Sequence, residues 1–135
     1  MMRRYLLVGV LSLLATVAWT QTNVRNRVEV VYFYGKQRCQ TCMAIEKYAH
    51  EVVDQDFAVE KKKGKVVFKV VDMSTTEGAK IAKAYRVTWS SLYINGWKEG
   101  KEDRNDMTKF AFRNARYHTD EFKKGLRVKM KELLR

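Results

Sequence analysis

Cys39 and Cys42 are the only cysteines in this 135-residue chain, and two residues, Gln40 and Thr41, stand between them. Two cysteines placed at random in a chain this long show that spacing about 1.5% of the time, so the pair calls for a reason. It follows directly on a strand-like run and opens a helix-like one. A helix start presents unpaired backbone N–H groups and a partial positive charge, and both favour a thiolate on Cys39. Lys36 and Arg38 add cationic charge. An ordinary thiol, with a pKa near 8.5, is about 3% ionised at pH 7. Bringing it to ~7 takes about 2 kcal/mol. A helix terminus supplies ~0.3–1 kcal/mol, rising to ~2 when partly buried, so the terminus and Arg38 together suffice. Cys42 comes one turn later, on an apolar stripe with Ile45 and Ala49. Cys39 is therefore the exposed, attacking thiol, Arg38 its activating neighbour, and Cys42 the buried thiol that resolves.

Two other uses of the pair compete with thiol–disulfide exchange. As a purely structural staple, a bridge closing so short a loop is worth about 2 kcal/mol, against ~4.7 for a hundred-residue loop. As a metal site, the pair has His50 and His118 as the available nitrogen ligands and no second Cys-x-x-Cys, so no closed four-ligand zinc site is assigned. A two-sulfur site on Cys39 and Cys42 for a thiophilic metal or metalloid, such as Cu(I), stays open as the alternative. No cofactor is called for.

The elements that must hold these cysteines alternate. Val28–Tyr34 is a β-branched and aromatic run stopped by Gly35, a buried strand. From about Gln40 to Asp54, Cys42, Ile45, Ala49, Val52 and Val53 fall on one helical stripe. Lys61, Lys62, Lys63 and Lys65 surround Gly64 and read as a solvated turn before a second strand, Lys65–Asp72. A helix over Thr76–Tyr85 and a short strand over Ser91–Asn95 follow. Trp97–Arg104 reads as a hairpin turn with a ragged edge strand. Two helices, about Met107–Tyr117 and Thr119–Leu134, end the chain. The last packs Phe122, Leu126, Met130 and Leu133, although Gly125 inside it costs ~1 kcal/mol against alanine. Trp89, Tyr93 and Trp97 are read at one end of the sheet, as a partner-binding rim or as edge packing. The pattern predicts an α/β fold with a small mixed sheet flanked by helices.

Ahead of this domain, Arg3 and Arg4 precede an uncharged apolar run, Tyr5–Trp19. That is the layout of a secretory signal at the long end of the usual ~7–15 residue apolar region, and short of the ~20 residues of a comfortable span. Residues 1–20 are thus a signal peptide, or alternatively an amino-terminal anchor over 5–19, with residues 21–135 forming the domain. Either way the domain lies outside the cytoplasm, as in a bacterial periplasm. The net charge is +12, of which the leader carries two units. Such a balance in the cytosol would point to nucleic acid; for an exported chain no nucleic-acid partner is assigned. Proline is absent, where average usage of roughly 5% would give about seven, so no cis-proline exists anywhere in the fold.

Strand, turn, Cys-x-x-Cys, helix, strand, helix resembles the thioredoxin superfamily over nearly all of residues 21–135. Val66–Asp72 is similar to that family's second long parallel strand, and Ala84–Val87 to the helix end before its active-site-facing loop. Gly35–Glu46 (GKQRCQTCMAIE) and Thr108–Ala115 (TKFAFRNA) resemble a smaller group. Those are short exported thioredoxin-like proteins described as nitrophenyl-compound nitroreductase subunits and found with arsenic-resistance genes. The resemblance implies a thioredoxin-like fold and Trp89, Ser90 and Ser91 facing a bound partner. Three positions depart from the superfamily pattern: Arg38 stands where Trp usually precedes the first Cys, Phe33 where a buried Asp often serves the second thiol, and Ser91 where the cis-Pro aligns.

The reading is a monomeric, exported, thioredoxin-like thiol–disulfide oxidoreductase acting on a protein thiol or disulfide partner, with a membrane electron donor or acceptor among its partners. The alternative is a non-catalytic subunit or carrier that uses Cys39 and Cys42 to bind a thiophilic ion or a partner protein. For the leader, we expect processing after Ala18 or Thr20, giving a mature chain that begins at Trp19 or Gln21. Intact mass of the exported protein checks this; the full 135-residue chain in the membrane fraction would establish the anchor instead.

Overall fold

The computed structural model describes residues 26–135; the leader or anchor expected at residues 1–20 lies outside the described residues. Strand β1 (Arg27–Tyr34) is the central element. Its side chains alternate between two covered faces, which is why nearly every position is apolar. Val28, Val30 and Tyr32 enter the larger core; Val31 and Phe33 enter a smaller one on the opposite face. Helix α1 (Gln40–Glu51) runs into a single π-helical turn at Val52–Asp56 and a short α2 (Ala58–Lys62). The chain returns as β2 (Val66–Asp72), parallel to β1. Helix α3 (Thr76–Tyr85) covers the smaller core. A hairpin follows, β3 (Ser91–Lys98) and β4 (Lys101–Asp106). Its turn residues Glu99 and Gly100 both have positive φ, 51° and 80°, as a twisted two-residue hairpin loop requires. Helices α4 (Thr108–Asn114) and α5 (Thr119–Leu134) close the larger core.

The four strands lie in the order β2-β1-β3-β4, with β3 antiparallel to both neighbours, and this is the expected thioredoxin-like α/β arrangement. The stripe Cys42, Ile45, Ala49, Val52, Val53 is buried as read, and so is Phe122, Leu126, Met130, Leu133. The edge strand β4 carries the sequence KEDRND, and its charges discourage pairing with another chain.

Several boundaries differ from the sequence expectation. The first helix gives way to the π-helical turn at Val52, and α2 takes in Lys61 and Lys62 ahead of the turn expected around Gly64, where φ is 77°. Buried Phe57 anchors that segment, and Lys61 pairs with Asp54 at 2.5 Å, contacts that composition does not reveal. β3 continues to Lys98, three residues past the expected Asn95. Trp97 is not at the cysteine end. It pairs with Arg27 at the start of β1, while Ser91 pairs with Phe33 near its end. At ~3.3 Å per residue, six residues of strand separate the two by about 20 Å. There the Trp97 indole donates to Glu29 at 3.2 Å.

Gly125 does not interrupt α5. Its missing side chain makes room for the Phe110 ring, which a Cβ at that position would overlap. Phe110 in turn stacks near Phe122, with ring centroids 6.2 Å apart. We expect Gly125→Ala to destabilise by about 1–2 kcal/mol, because overpacking of ~1–3 kcal/mol outweighs a helix-propensity gain of ~1. In a Phe110→Ala background the same change should become neutral or stabilising. Urea unfolding of the four proteins decides the sign.

Glu29 is a buried carboxylate, its side chain 5% exposed, receiving Arg27 Nε at 2.8 Å and Lys69 Nζ at 2.9 Å besides the indole. Burial alone would raise its pKa, but the hydrogen bonds from Lys69, Arg27 and Trp97 outweigh burial and hold it below the ordinary value. A depressed folded-state pKa contributes stability above the unfolded pKa, near 4.3, and loses it as pH falls through the folded value. Glu29→Gln should therefore cost about 1–3 kcal/mol at pH 7. The gap to the wild type should narrow below about pH 4, measured by urea midpoints across pH.

Candidate active site

β1 delivers the chain to Gly35, and Cys39 becomes the N-cap of α1 with extended backbone angles, φ −78° and ψ 165°. Its Sγ accepts the Cys42 backbone N–H at 3.0 Å, filling the place a serine or aspartate oxygen takes in other helix caps. Cys39 and Cys42 are joined as a disulfide, with Cα atoms 5.0 Å apart. Cys39 is exposed, whereas Cys42 is only 5% exposed and lies on the stripe that faces the core. Beneath Cys42, the buried Tyr32 hydroxyl donates to its carbonyl at 2.9 Å. Burial pushes the Tyr32 phenol up, against a hydrogen bond from Ser90 that works the other way.

The two sulfurs open onto a cleft of about 600 Å3, walled by Met73, Trp89, Ser90 and Phe112. Sheet topology brings these walls together. β3 starts beside the end of β1, with Ser91 opposite Phe33, so the segment entering it must pass over the cysteines. β2 ends at the same level, Asp72 opposite Tyr34, and presents Met73. Trp89 is 65% exposed and stacks on Phe112, centroids 5.6 Å apart and planes within 12°.

Of the residues expected to face a partner, Trp89 and Ser90 line the cleft. Ser91 is turned away: it is buried, and its hydroxyl donates to the Trp89 carbonyl at 2.9 Å, fixing the shape of the loop. Every peptide bond among the described residues is trans, that of Ser91 included. Phe33, at the position of the superfamily's buried acid, is fully buried against Tyr85 and Tyr93 on the α3 face. Tyr93 therefore belongs to that small core rather than to a rim around the cysteines.

Arg38 lines the cleft, but its charge is engaged. Its guanidinium lies 3.6 Å over the Tyr34 ring and donates from Nη1 to Glu46 Oε1 at 2.8 Å. Below it, hydrogen bonds from Ser74 hold the Asp72 carboxyl below the ordinary range, with smaller help from Tyr34 and Arg38. His50 is exposed, pairs with Asp54 at 3.1 Å and stacks on Phe68, away from any ligand role with the cysteines. Among the described residues, no group of three or more His, Cys, Asp or Glu is placed to hold a metal ion.

Two contributors were missed by sequence reading, Phe112 and Arg116. Phe112 comes from α4, behind Phe110 in an apolar stretch with no signal separating wall from core. Arg116 donates to the Gln40 side chain across 76 positions of sequence, a contact with no local signature.

Neither a protein-family model nor a curated protein sequence matches the chain. Among solved structures, it is similar to a thioredoxin from Thermus thermophilus at 20% identity and a TM-score of 0.45, covering 74% of each chain. A Fasciola hepatica thioredoxin is 26% identical at a TM-score of 0.42, covering 67% of this chain and 79% of that one. Human ERp44 in a zinc-bound form is 21% identical at a TM-score of 0.41; 73% of this chain matches 27% of that one. Likenesses at this level carry no weight of their own. The strand order β2-β1-β3-β4, the parallel β1–β2 pair and the Cys39–Cys42 disulfide capping the helix between them make this a chain of thioredoxin-like fold.

Proposed function

We propose that this protein is an exported thiol–disulfide oxidoreductase that acts on protein partners through Cys39 and Cys42. The observation that carries the reading is the asymmetry of the pair, one sulfur exposed at a helix N-cap and the other buried one turn later. In the oxidised protein, a partner thiolate attacks Cys39 Sγ, forming a mixed disulfide and releasing Cys42 as a thiolate that takes a proton from solvent. A second partner thiolate then displaces Cys39, leaving a dithiol here and a disulfide in the partner. In reverse, the Cys39 thiolate opens a partner disulfide, and Cys42 attacks Cys39 Sγ to release the reduced partner. The same geometry serves both directions, and the midpoint potential of the pair selects between them.

Trp89 and Ser90 are the residues we assign to contact with the bound partner, since they line the same cleft as Cys39. Export is supported by Arg3-Arg4 and the apolar run that follows them. In that compartment a membrane-bound electron donor or acceptor resets the pair, and the protein works as a monomer. One observation favours a second reading, a non-catalytic carrier: Cys39 is exposed at the mouth of the cleft, where a soft ion can reach it.

The wild type should turn over a protein disulfide or dithiol. Cys42→Ser should trap a mixed disulfide with a partner protein, seen on a non-reducing gel, and Cys39→Ser should trap little. Absence of turnover in either direction, with stoichiometric Cu(I) binding by the reduced protein, would assign the protein to the carrier class.

A further inference from the structure

We propose that Arg116, at the corner between α4 and α5, is the residue that adds positive charge to the α1 N-terminus capped by Cys39, through its hold on Gln40. The inference rests on the thiol–disulfide reading and names the charge that tunes its attacking thiol.

Sequence proximity favours Arg38 for this role, but geometry does not. The Arg38 cation is paired with Glu46 at 2.8 Å, so the two are neutral together and their field falls off faster with distance than that of a single charge. Arg116 is in a different position. Its Nη2 donates to Gln40 Oε1, its guanidinium lies 4.8 Å from the Tyr117 ring centroid, and no carboxylate pairs with it among the described residues. Gln40 is the first residue of α1 and follows Cys39 directly, so its Cα is ~3.8 Å from that of Cys39. The cation is thereby tethered at the end of the helix that is already positive. A glutamine suits the tether: its carbonyl accepts the guanidinium without neutralising it, as a glutamate in its place would.

The other charged or titratable groups around the cysteines are few. Lys36 and Arg38 come from the β1–α1 connection, Glu46 from α1, Tyr32 and Tyr34 from β1 and Asp72 from the end of β2. The loop wall Thr88–Ser90 contributes none.

The test is the pH dependence of alkylation of the reduced full-length protein, which follows Cys39 because that thiol is exposed. Arg116→Gln should raise its pKa by about half a unit at low ionic strength, and the shift should vanish in ~1 M salt, where screening acts over about 3 Å. Arg116→Lys should stay near the wild type. Gln40→Leu, which removes the tether from the other side, should move in the same direction as Arg116→Gln but less. The double variant Arg38→Gln, Glu46→Gln, which removes a neutral pair, should leave the pKa near wild type. An unchanged pKa in both Arg116→Gln and Gln40→Leu, or a larger rise in the double variant, would overturn the proposal. Because alkylation needs no partner, the outcomes separate. A shifted pKa without disulfide turnover upholds Arg116 and removes the exchange reading; turnover with an unshifted pKa does the reverse.

Discussion

Because β3 pairs with β1 antiparallel, with Ser91 opposite Phe33, the chain entering β3 must cross the end of β1 from which the cysteines depart. The parallel β1–β2 pair adds a second requirement: α1 must begin at that same end in order to carry the chain back. These two directions alone put a helix N-terminus, the end of β2 and the loop Thr88–Ser90 around one point. The site is thus a consequence of strand direction, and its rigidity is that of the sheet. The Tyr32 hydroxyl fastens the first turn of α1 to the sheet through the Cys42 carbonyl, so the cap geometry is anchored to the core rather than to the surface loop.

Charge around the cysteines is organised by pairing rather than by quantity. The chain carries an excess of twelve positive charges, but an unpartnered cation near a sulfur matters more than any number of paired ones. Arg38 shows this: the residue next to Cys39 in sequence spends its guanidinium on Glu46 and Tyr34. That pairing has a structural return, since it ties the β1–α1 connection to the middle of α1 and covers the Tyr34 ring. A fixed helix cap supplies the remaining bias toward thiolate. Its N–H already points at Cys39 Sγ in the disulfide form, so reduction needs no rearrangement of the donor.

The fold was largely legible in the sequence because its elements are strongly periodic and each buries a clean stripe. β1, α3 and α5 fall where β-branched runs, the helical stripe and the terminal heptad-like spacing place them. What escaped depends on partners distant in sequence. The break at Val52–Asp56 and the turn into α2 leave no composition signal, because Val52, Val53 and Phe57 are buried whichever helical register they adopt. Gly125 read as a weakness in α5, since the Phe110 ring that needs its space lies on another helix. Of the site, the cysteines and their asymmetry were readable from spacing and stripe. Trp89, Ser90 and Ser91 are expected at the partner-facing wall from a resemblance; Trp89 and Ser90 line the cleft, and the buried Ser91 hydroxyl holds the Trp89 carbonyl. Trp97 lies at the opposite end of the sheet because β3 starts beside the cysteines and runs antiparallel to β1, from Ser91 opposite Phe33 to Trp97 opposite Arg27.

Phe33 bears most heavily on how such a pair would work. An ionised side chain there would face Val71, Ala82 and two tyrosine rings, a setting that penalises charge. The small core under α3 is therefore built around an aromatic ring and has no place for a buried carboxylate. The Tyr32 hydroxyl donates to the Cys42 carbonyl and is itself linked to Ser90, and burial pushes the Tyr32 phenol up, so it donates rather than accepts. In the exchange we propose, Cys42 must still lose its proton before it can attack Cys39, and from a site 5% exposed that loss is unaided by any fixed base on β1. Attack by Cys39 and resolution by Cys42 thus respond to different parts of the molecule. The first is set by the helix cap and the cations at its mouth. The second is set by how readily the buried thiol ionises, and it quickens as pH rises. Within the proposed exchange, resolution is the step that an unaided Cys42 slows near neutral pH.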